Sequence, residues 1–208
     1  MYQHEMKDVL VFVSGMTQDY FGAFWERVDE VRHEDLNIPF TSTTGTDLDV
    51  KQHIDRLSYV HGKVESSDTK GPRKTKERDR YCDDLPLEWT NRHGDTGSLF
   101  GNQNYINQFV PGDDDHIWMF KINRKDLQSW AERHLSTTNE HYYTLKSVGR
   151  NSKLMWMPLE DLTAPDTDIE YKKYDADEWV LKVYRQVLEN GITCLDRLIA
   201  KKKSLLPS

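Results

Sequence analysis

DLDVK, residues 47–51, sets two aspartates and a lysine at alternate positions, a pattern that hydrolases use to hold a divalent cation. Carboxylate oxygens are the ligands Mg2+ prefers, and a neighbouring lysine stabilises charge on a phosphate or orients the attacking water. If the segment is a strand, Asp49 and Lys51 share one face, because strand side chains repeat every second residue, and Asp47 joins them. Asp47 and Asp49 are then the expected metal ligands, and Asp49 and Lys51 catalytic candidates with Mg2+ as cofactor. A second cluster, NRHGDTGSLFGNQN at 91–104, offers His93 for proton transfer beside Asp95, with glycines that let backbone amides approach an anion. Its glycine spacing matches neither the P-loop nor the dinucleotide fingerprint, so a glycine-rich surface loop is the plainer reading.

The acid-x-lysine spacing of Asp49 and Lys51 resembles the half-motif of the PD-(D/E)xK nuclease family, over residues 47–51 only. That family also carries an aspartate on the preceding strand, and none is evident here, since Asp35 stands beside Leu36 and Asn37 at an expected helix end. What the resemblance implies is a metal-dependent nuclease. FTSTT at 40–44 looks like the hydroxyl-rich strand of some ADP-ribosyltransferases, but the arginine and the Glu-x-Glu pair of that family are missing. Hydroxyls ahead of a glycine are ordinarily turn formers that bond their own backbone.

KGPRKTKERDR, at 70–80, carries six basic residues against one glutamate and one aspartate in a chain of net charge -7. Arg73, Lys74, Lys76 and Arg78, with Arg92 further on, are the expected contacts to a partner or to phosphates, and Trp89 and Tyr81 the rings able to stack on bases. The overall acidity argues against a protein that coats itself in positive charge to bind nucleic acid. Asp113, Asp114 and Asp115 precede His116 in what reads as a turn, and the other histidines lack metal-ligand spacing. Cys82 and Cys194 stand far apart and build neither a disulfide framework nor a multi-cysteine zinc site, which suits a reducing, cytosolic setting. The polar N-terminus and the short run VLVFV predict neither signal peptide nor membrane span.

These residues need elements to hold them. The 208 residues suit one domain, and six Trp, ten Tyr and seven Phe promise an aromatic-rich core. Residues 9–13 read as a strand buried on both faces, and 20–34 as an amphipathic helix with Phe21, Phe24, Trp25, Val28 and Val31 inward and Glu26, Arg27, Asp29 and Glu30 outward. A short strand at 47–51 and a short helix at 52–60 follow. Residues 64–87 lack aliphatic side chains between Val64 and Leu85 and read as an exposed charged excursion. HIWMFKI at 116–122 reads as a strand, followed by a helix capped at Asn123. HYYTLKSV and KLMWMPL flank a hairpin turn, and residues 175–203 form a C-terminal helical element, either one helix weakened at Gly191 or two joined there. The expected class is α+β: a single compact domain with a small mixed or antiparallel sheet, flanking helices, long polar loops and a C-terminal helix or helical hairpin.

Two functions fit this reading. The first is a non-enzymatic binding or regulatory protein, monomer or homodimer, docking on a macromolecular partner through loops at 64–115, with a protein favoured over nucleic acid and no membrane involved. The alternative is a small metal-dependent nuclease or nucleotide-processing enzyme using Asp47, Asp49 and Lys51.

Overall fold

A computed structural model describes residues 2–74, 81–82, 84–91, 93–112, 116–135, 143–147 and 151–203. Two helices come first, α1 (Tyr2–Ser14) and α2 (Gln18–Asp35). The apolar run at 9–13, expected as a strand, is therefore helical. Met6, Val9 and Val13 form one buried face of α1, whereas Val11 is 66% exposed. Five consecutive apolar residues carry no period of their own, and the stripe begun at Met6 decides the matter.

Helix α2 buries Phe24, Trp25, Val28 and Val31, as its periodicity predicts. Glu26, Asp29 and Glu30, expected in water, are buried too. The helix packs both on other helices and on the sheet, so polar as well as apolar residues of it are covered.

The chain continues through β1 (Phe40–Ser42), α3 (Asp47–Gln52), β2 (Arg56–Val60), β3 (Lys63–Lys70), β4 (Arg73–Lys74), β5 (Tyr81–Cys82) and β6 (Leu85–Thr90). A 3-10 turn at Ser98–Phe100 precedes β7 (Tyr105–Pro111), β8 (Ile117–Asn123) and α4 (Arg124–His134). Then come β9 (Lys146–Ser147), β10 (Lys153–Met157), α5 (Leu159–Thr163), β11 (Tyr171–Asp175), α6 (Asp177–Asn190) and α7 (Thr193–Lys203). The result is a single α+β domain. Its six-stranded mixed sheet has the order β1-β2-β3-β7-β8-β11, beside a three-stranded antiparallel sheet, β6-β10-β9, and the short β4-β5 pair.

In the large sheet β1, β2 and β3 run as an antiparallel meander, and β3 pairs with β7 in parallel. A parallel joint needs a crossover, and residues 71–104, which hold β4 to β6 and the 3-10 turn, supply it. One face of the sheet gives Phe109, Ile117 and Met119 to a core shared with α1, α2, α6 and α7. Ile106, Phe120 and Ile122 on the other face meet Leu85, Leu87, Met155 and Met157 of the small sheet and Leu127 of α4.

The expected excursion at 64–87 is corrected at both ends. Residues 63–70 are β3, inside the large sheet, with Ser66, Ser67, Asp68 and Thr69 buried, and Leu85 and Leu87 belong to a core. A run without aliphatic residues lies inside where Ser66 finds a partner in Asn104 and Thr69 one in Asp29, a compensation that composition does not reveal. Residues 75–80 and 83 lie outside the described part. Other expectations stand: the strand over 116–122, the hairpin joining β9 to β10, and α4 capped by Asn123, whose side chain accepts from the N–H groups of Lys125 and Asp126. Gly191, at φ 68°, separates α6 from α7, so the C-terminal element is two helices. Among the described residues no helix is long and apolar enough to cross a membrane.

Candidate active site

The segment DLDVK is α3, not a strand. Helical residues two apart point to different sides, so the shared face expected for Asp49 and Lys51 does not exist. Lys51 instead pairs with Asp47 one turn away at 2.9 Å, both side chains more than two-thirds exposed. Asp49 turns back to accept a 2.8 Å hydrogen bond from the Gly45 N–H, closing the turn that starts the helix. Five alternating residues are equally a helix start, and the turn at Gly45 and Thr46 settles it. His93 is exposed in a turn, where its N–H donates to Asn91 Oδ1 at 2.9 Å. Trp89 packs edge-on against Phe100, ring centroids 5.0 Å apart, as an anchor of the second core. Arg73 and Lys74 pair through their backbones with Cys82 and Tyr81. Lys76, Arg78, Arg92 and Asp113 to Asp115 lie outside the described residues.

The acid-x-lysine spacing recurs at Asp68, Thr69 and Lys70, and there it does lie on a strand. The hairpin that carries it turns on His61 and Gly62, both at positive φ (48° and 76°), the conformation a two-residue turn needs to match strand twist. Thr69 points to α2, so alternation puts Asp68 and Lys70 together on the opposite face, and Lys70 Nζ lies 2.9 Å from Asp68 Oδ2. Asp55 stands at the entrance of the neighbouring strand β2. Its N–H donates to Ser67 O at 2.9 Å, and its carboxylate accepts from the Thr69 N–H at 2.8 Å. These bonds bracket Asp68 and bring the two carboxylates together.

The electrostatics of the group are unequal. Burial pushes the Asp68 carboxyl well above the ordinary carboxylate range; Lys70 pulls it down, and Asp55 adds to the rise. In its protonated form Asp68 donates to Asp55. Burial works against the Lys70 ammonium, but the charges of Asp68, Glu88 and Asp55 outweigh it and hold Lys70 protonated well above its usual range. Lys70 keeps a third of its side chain exposed, which marks where the group opens to solvent. Glu88 comes from β6 of the other sheet and accepts from the Ser98 N–H at 3.3 Å. Gly97 packs on the backbone of Glu88 so closely that a Cβ there would lie 2.2 Å from the Glu88 carbonyl oxygen. Only glycine fits.

On the α2 side of the same strands lies a buried ionic network. Asp29 accepts from Arg32 Nε at 2.8 Å, from the Thr69 hydroxyl at 3.2 Å and from Asn107 Nδ2 at 3.3 Å, and pairs with Arg56. Burial would raise the Asp29 carboxyl, but Arg32, Arg56 and His33 draw it far below the usual range. His33, bonded to Ser58 Oγ at 2.7 Å, has its pKa pushed down to about 4 by burial, against the pull of Asp29. Thr69 thus joins the two sides: its hydroxyl serves Asp29 and its N–H serves Asp55.

Among the described residues one grouping has metal-ligand character by distance, His116, Asp175 and Asp177, with ligand atoms within 4.8 Å of one another. Its oxygens have structural work. Asp177 bonds the His116 ring and accepts from the Ile117 N–H at 2.7 Å, and Asp175 accepts from the Asp177 N–H at 3.0 Å, fastening β8 to the start of α6.

Comparison with family models, with curated proteins and with solved structures finds no match in any of the three. The candidate residues therefore rest on geometry alone. Asp55, Asp68 and Lys70 were legible only as a hairpin: Leu57, Tyr59 and Val60 before a turn at His61-Gly62, then Asp-x-Lys, with an earlier aspartate just ahead of the partner strand; nothing in the sequence pointed to Glu88.

Proposed function

We propose that the protein is a divalent-cation-dependent phosphodiester hydrolase acting on nucleic acid, with its cation held by Asp55 and Asp68. The observation that carries this reading is the convergence of Asp55, Asp68 and Lys70 on one face of the β2–β3 hairpin. The acid-x-lysine spacing sought at 47–51 recurs here on a strand, with a second acid at the entrance of the preceding one. Two buried carboxylates in contact repel, and either a shared proton or a cation relieves them. Mg2+ or Mn2+ fits the donor set, which is oxygen only, and would supply Lewis-acid polarisation of a phosphate and a more acidic bound water.

The chain's own residues divide the remaining work. Asp68 would give up its proton to hold a cation, and Asp55, which accepts from the Thr69 N–H, would supply the second carboxylate. Lys70 is held protonated, so it acts as a positive charge beside the phosphate and not as the base that deprotonates water. The charge of Glu88, from the second sheet, adds to what keeps that ammonium protonated. The basic run at 70–80 leaves β3 directly after Lys70, which puts phosphate-binding charge next in sequence to the carboxylates. The docking alternative relied on residues 64–115 as loops, whereas β3, β6 and β7 occupy much of that range.

The direct test is incubation of labelled single-stranded and duplex oligonucleotides with the protein in Mg2+, Mn2+ or EDTA. Cleavage in either metal, absent in EDTA and abolished in Lys70→Met and Asp68→Asn, supports the reading. Absence of cleavage of both substrates by the wild type, or cleavage that survives Asp68→Asn, overturns it.

A further inference from the structure

On the face of the β2–β3 hairpin that carries Asp68, Ser66 is buried against Asn104, and the exposed tip lies beyond it. Register pairs Leu57 with Ser66 and Tyr59 with Val64, and alternation places Val64 and Ser66 on the same face as Asp68. Tyr59 is 49% and Val64 56% exposed, so the tip of the hairpin presents a ring and a branched side chain to solvent. Asp68 lies four positions beyond Val64, about 13 Å along a strand. Val64 also lines a basin of about 580 Å3, together with Lys63, Asn102, Asn104, Arg124 and Lys125. Glu65, the acid in its wall, is ion-paired with Lys121, so the basin is net positive. Lys63, Asn102 and Lys125 are exposed.

We propose that the Tyr59–Val64 step and this basin bind an unpaired stretch of nucleic acid, a base stacked on Tyr59 and a phosphate between Lys63 and Lys125. The inference rests on the hydrolase reading for its substrate class. Its own warrant is an exposed ring beside Val64 at the hairpin tip, with Val64 in turn on the rim of a net-positive concavity that carries the exposed ammonium groups of Lys63 and Lys125. A duplex keeps its bases stacked inside and offers only phosphates, which would leave the Tyr59 ring without a partner. An unpaired base has a π-face for it, and amides such as that of Asn102 suit exposed base edges.

Fluorescence anisotropy in EDTA, where cleavage is off, tests this with a labelled single-stranded oligonucleotide and a hairpin duplex. The wild type is expected to prefer the single strand. Tyr59→Ala lowers single-strand affinity roughly tenfold with the salt dependence unchanged, and Tyr59→Phe retains it. Lys63→Ala with Lys125→Ala reduces the slope of log affinity against log salt by about 0.7 for each phosphate that is no longer neutralised. Unchanged single-strand affinity in Tyr59→Ala, an equal loss for duplex and single strand, or no oligonucleotide binding by the wild type overturns the inference. The hydrolase reading is judged separately, because Asp68→Asn is expected to abolish cleavage while leaving anisotropy unchanged.

Discussion

Asp55 accepts a 2.8 Å hydrogen bond from the backbone N–H of Thr69, the residue between Asp68 and Lys70. Because the Thr69 side chain bonds Asp29 across the sheet, this one residue couples the carboxylate pair to the buried network under α2. A backbone donor cannot rotate away, so the register of the hairpin fixes the point on which the Asp55 carboxylate is anchored. The site is held as rigidly as the sheet.

Asp68→Asn removes the like-charge contact while keeping the shape. The folded-state pKa of Asp68 is raised, so its ionised form costs stability as pH rises through that value. At pH 8 without added metal, the variant melts at or above the wild-type temperature, and the difference narrows as pH falls. Calorimetry at several pH values measures it.

Cation affinity follows from the same proton. A cation that binds Asp68 must displace it, so apparent Mn2+ affinity rises with pH and binding releases protons in weakly buffered solution. Titration in two buffers of different ionisation enthalpy reports the number released. A pH-independent affinity would place the cation elsewhere.

Much of the architecture is legible in the amino-acid order. The strand over 116–122, the Asn123 cap and the break at Gly191 each follow from a local signal that tertiary packing had no reason to override. Two segments are not legible, for one physical reason. At 9–13 and 47–51 the run is too short for its period to choose between helix and strand, and the choice is made by Met6 in the first and by the Gly45 turn in the second. The candidate site escapes differently: Asp68 and Lys70 sit in a run with no aliphatic residue, and only Asp29, Thr69 and Asn107, meeting from three elements, explain why such a strand is buried. The spacing sought at 49–51 has its strand-borne counterpart at 68–70.

The network under α2 sets the acid limit of the fold. His33 titrates near 4 when folded against about 6.5 when unfolded, so its contribution is present above pH 6.5 and is lost as pH falls toward 4. Asp29, lowered when folded, adds a further loss below the ordinary aspartate range, near pH 4 and under. Urea unfolding of the wild type therefore loses on the order of 2 kcal/mol between pH 7 and 4.5, and His33→Gln shows a flatter profile.

Arg56→Met tests the network from its other end. Arg56 is fully buried and pairs with Asp29, so its removal leaves a buried charge with one cation fewer. A cost of about 3 to 5 kcal/mol is expected in chemical denaturation. Asp29→Asn together with Arg56→Met recovers part of that loss.

Isothermal titration of Mn2+ into the wild type, Asp55→Asn, Asp68→Asn and Asp47→Asn addresses the central claim most directly. One site in the wild type, retained in Asp47→Asn and abolished or weakened at least tenfold in Asp55→Asn and Asp68→Asn, is the predicted result. Absence of Mn2+ binding by the wild type, or binding that survives both hairpin substitutions, would contradict it.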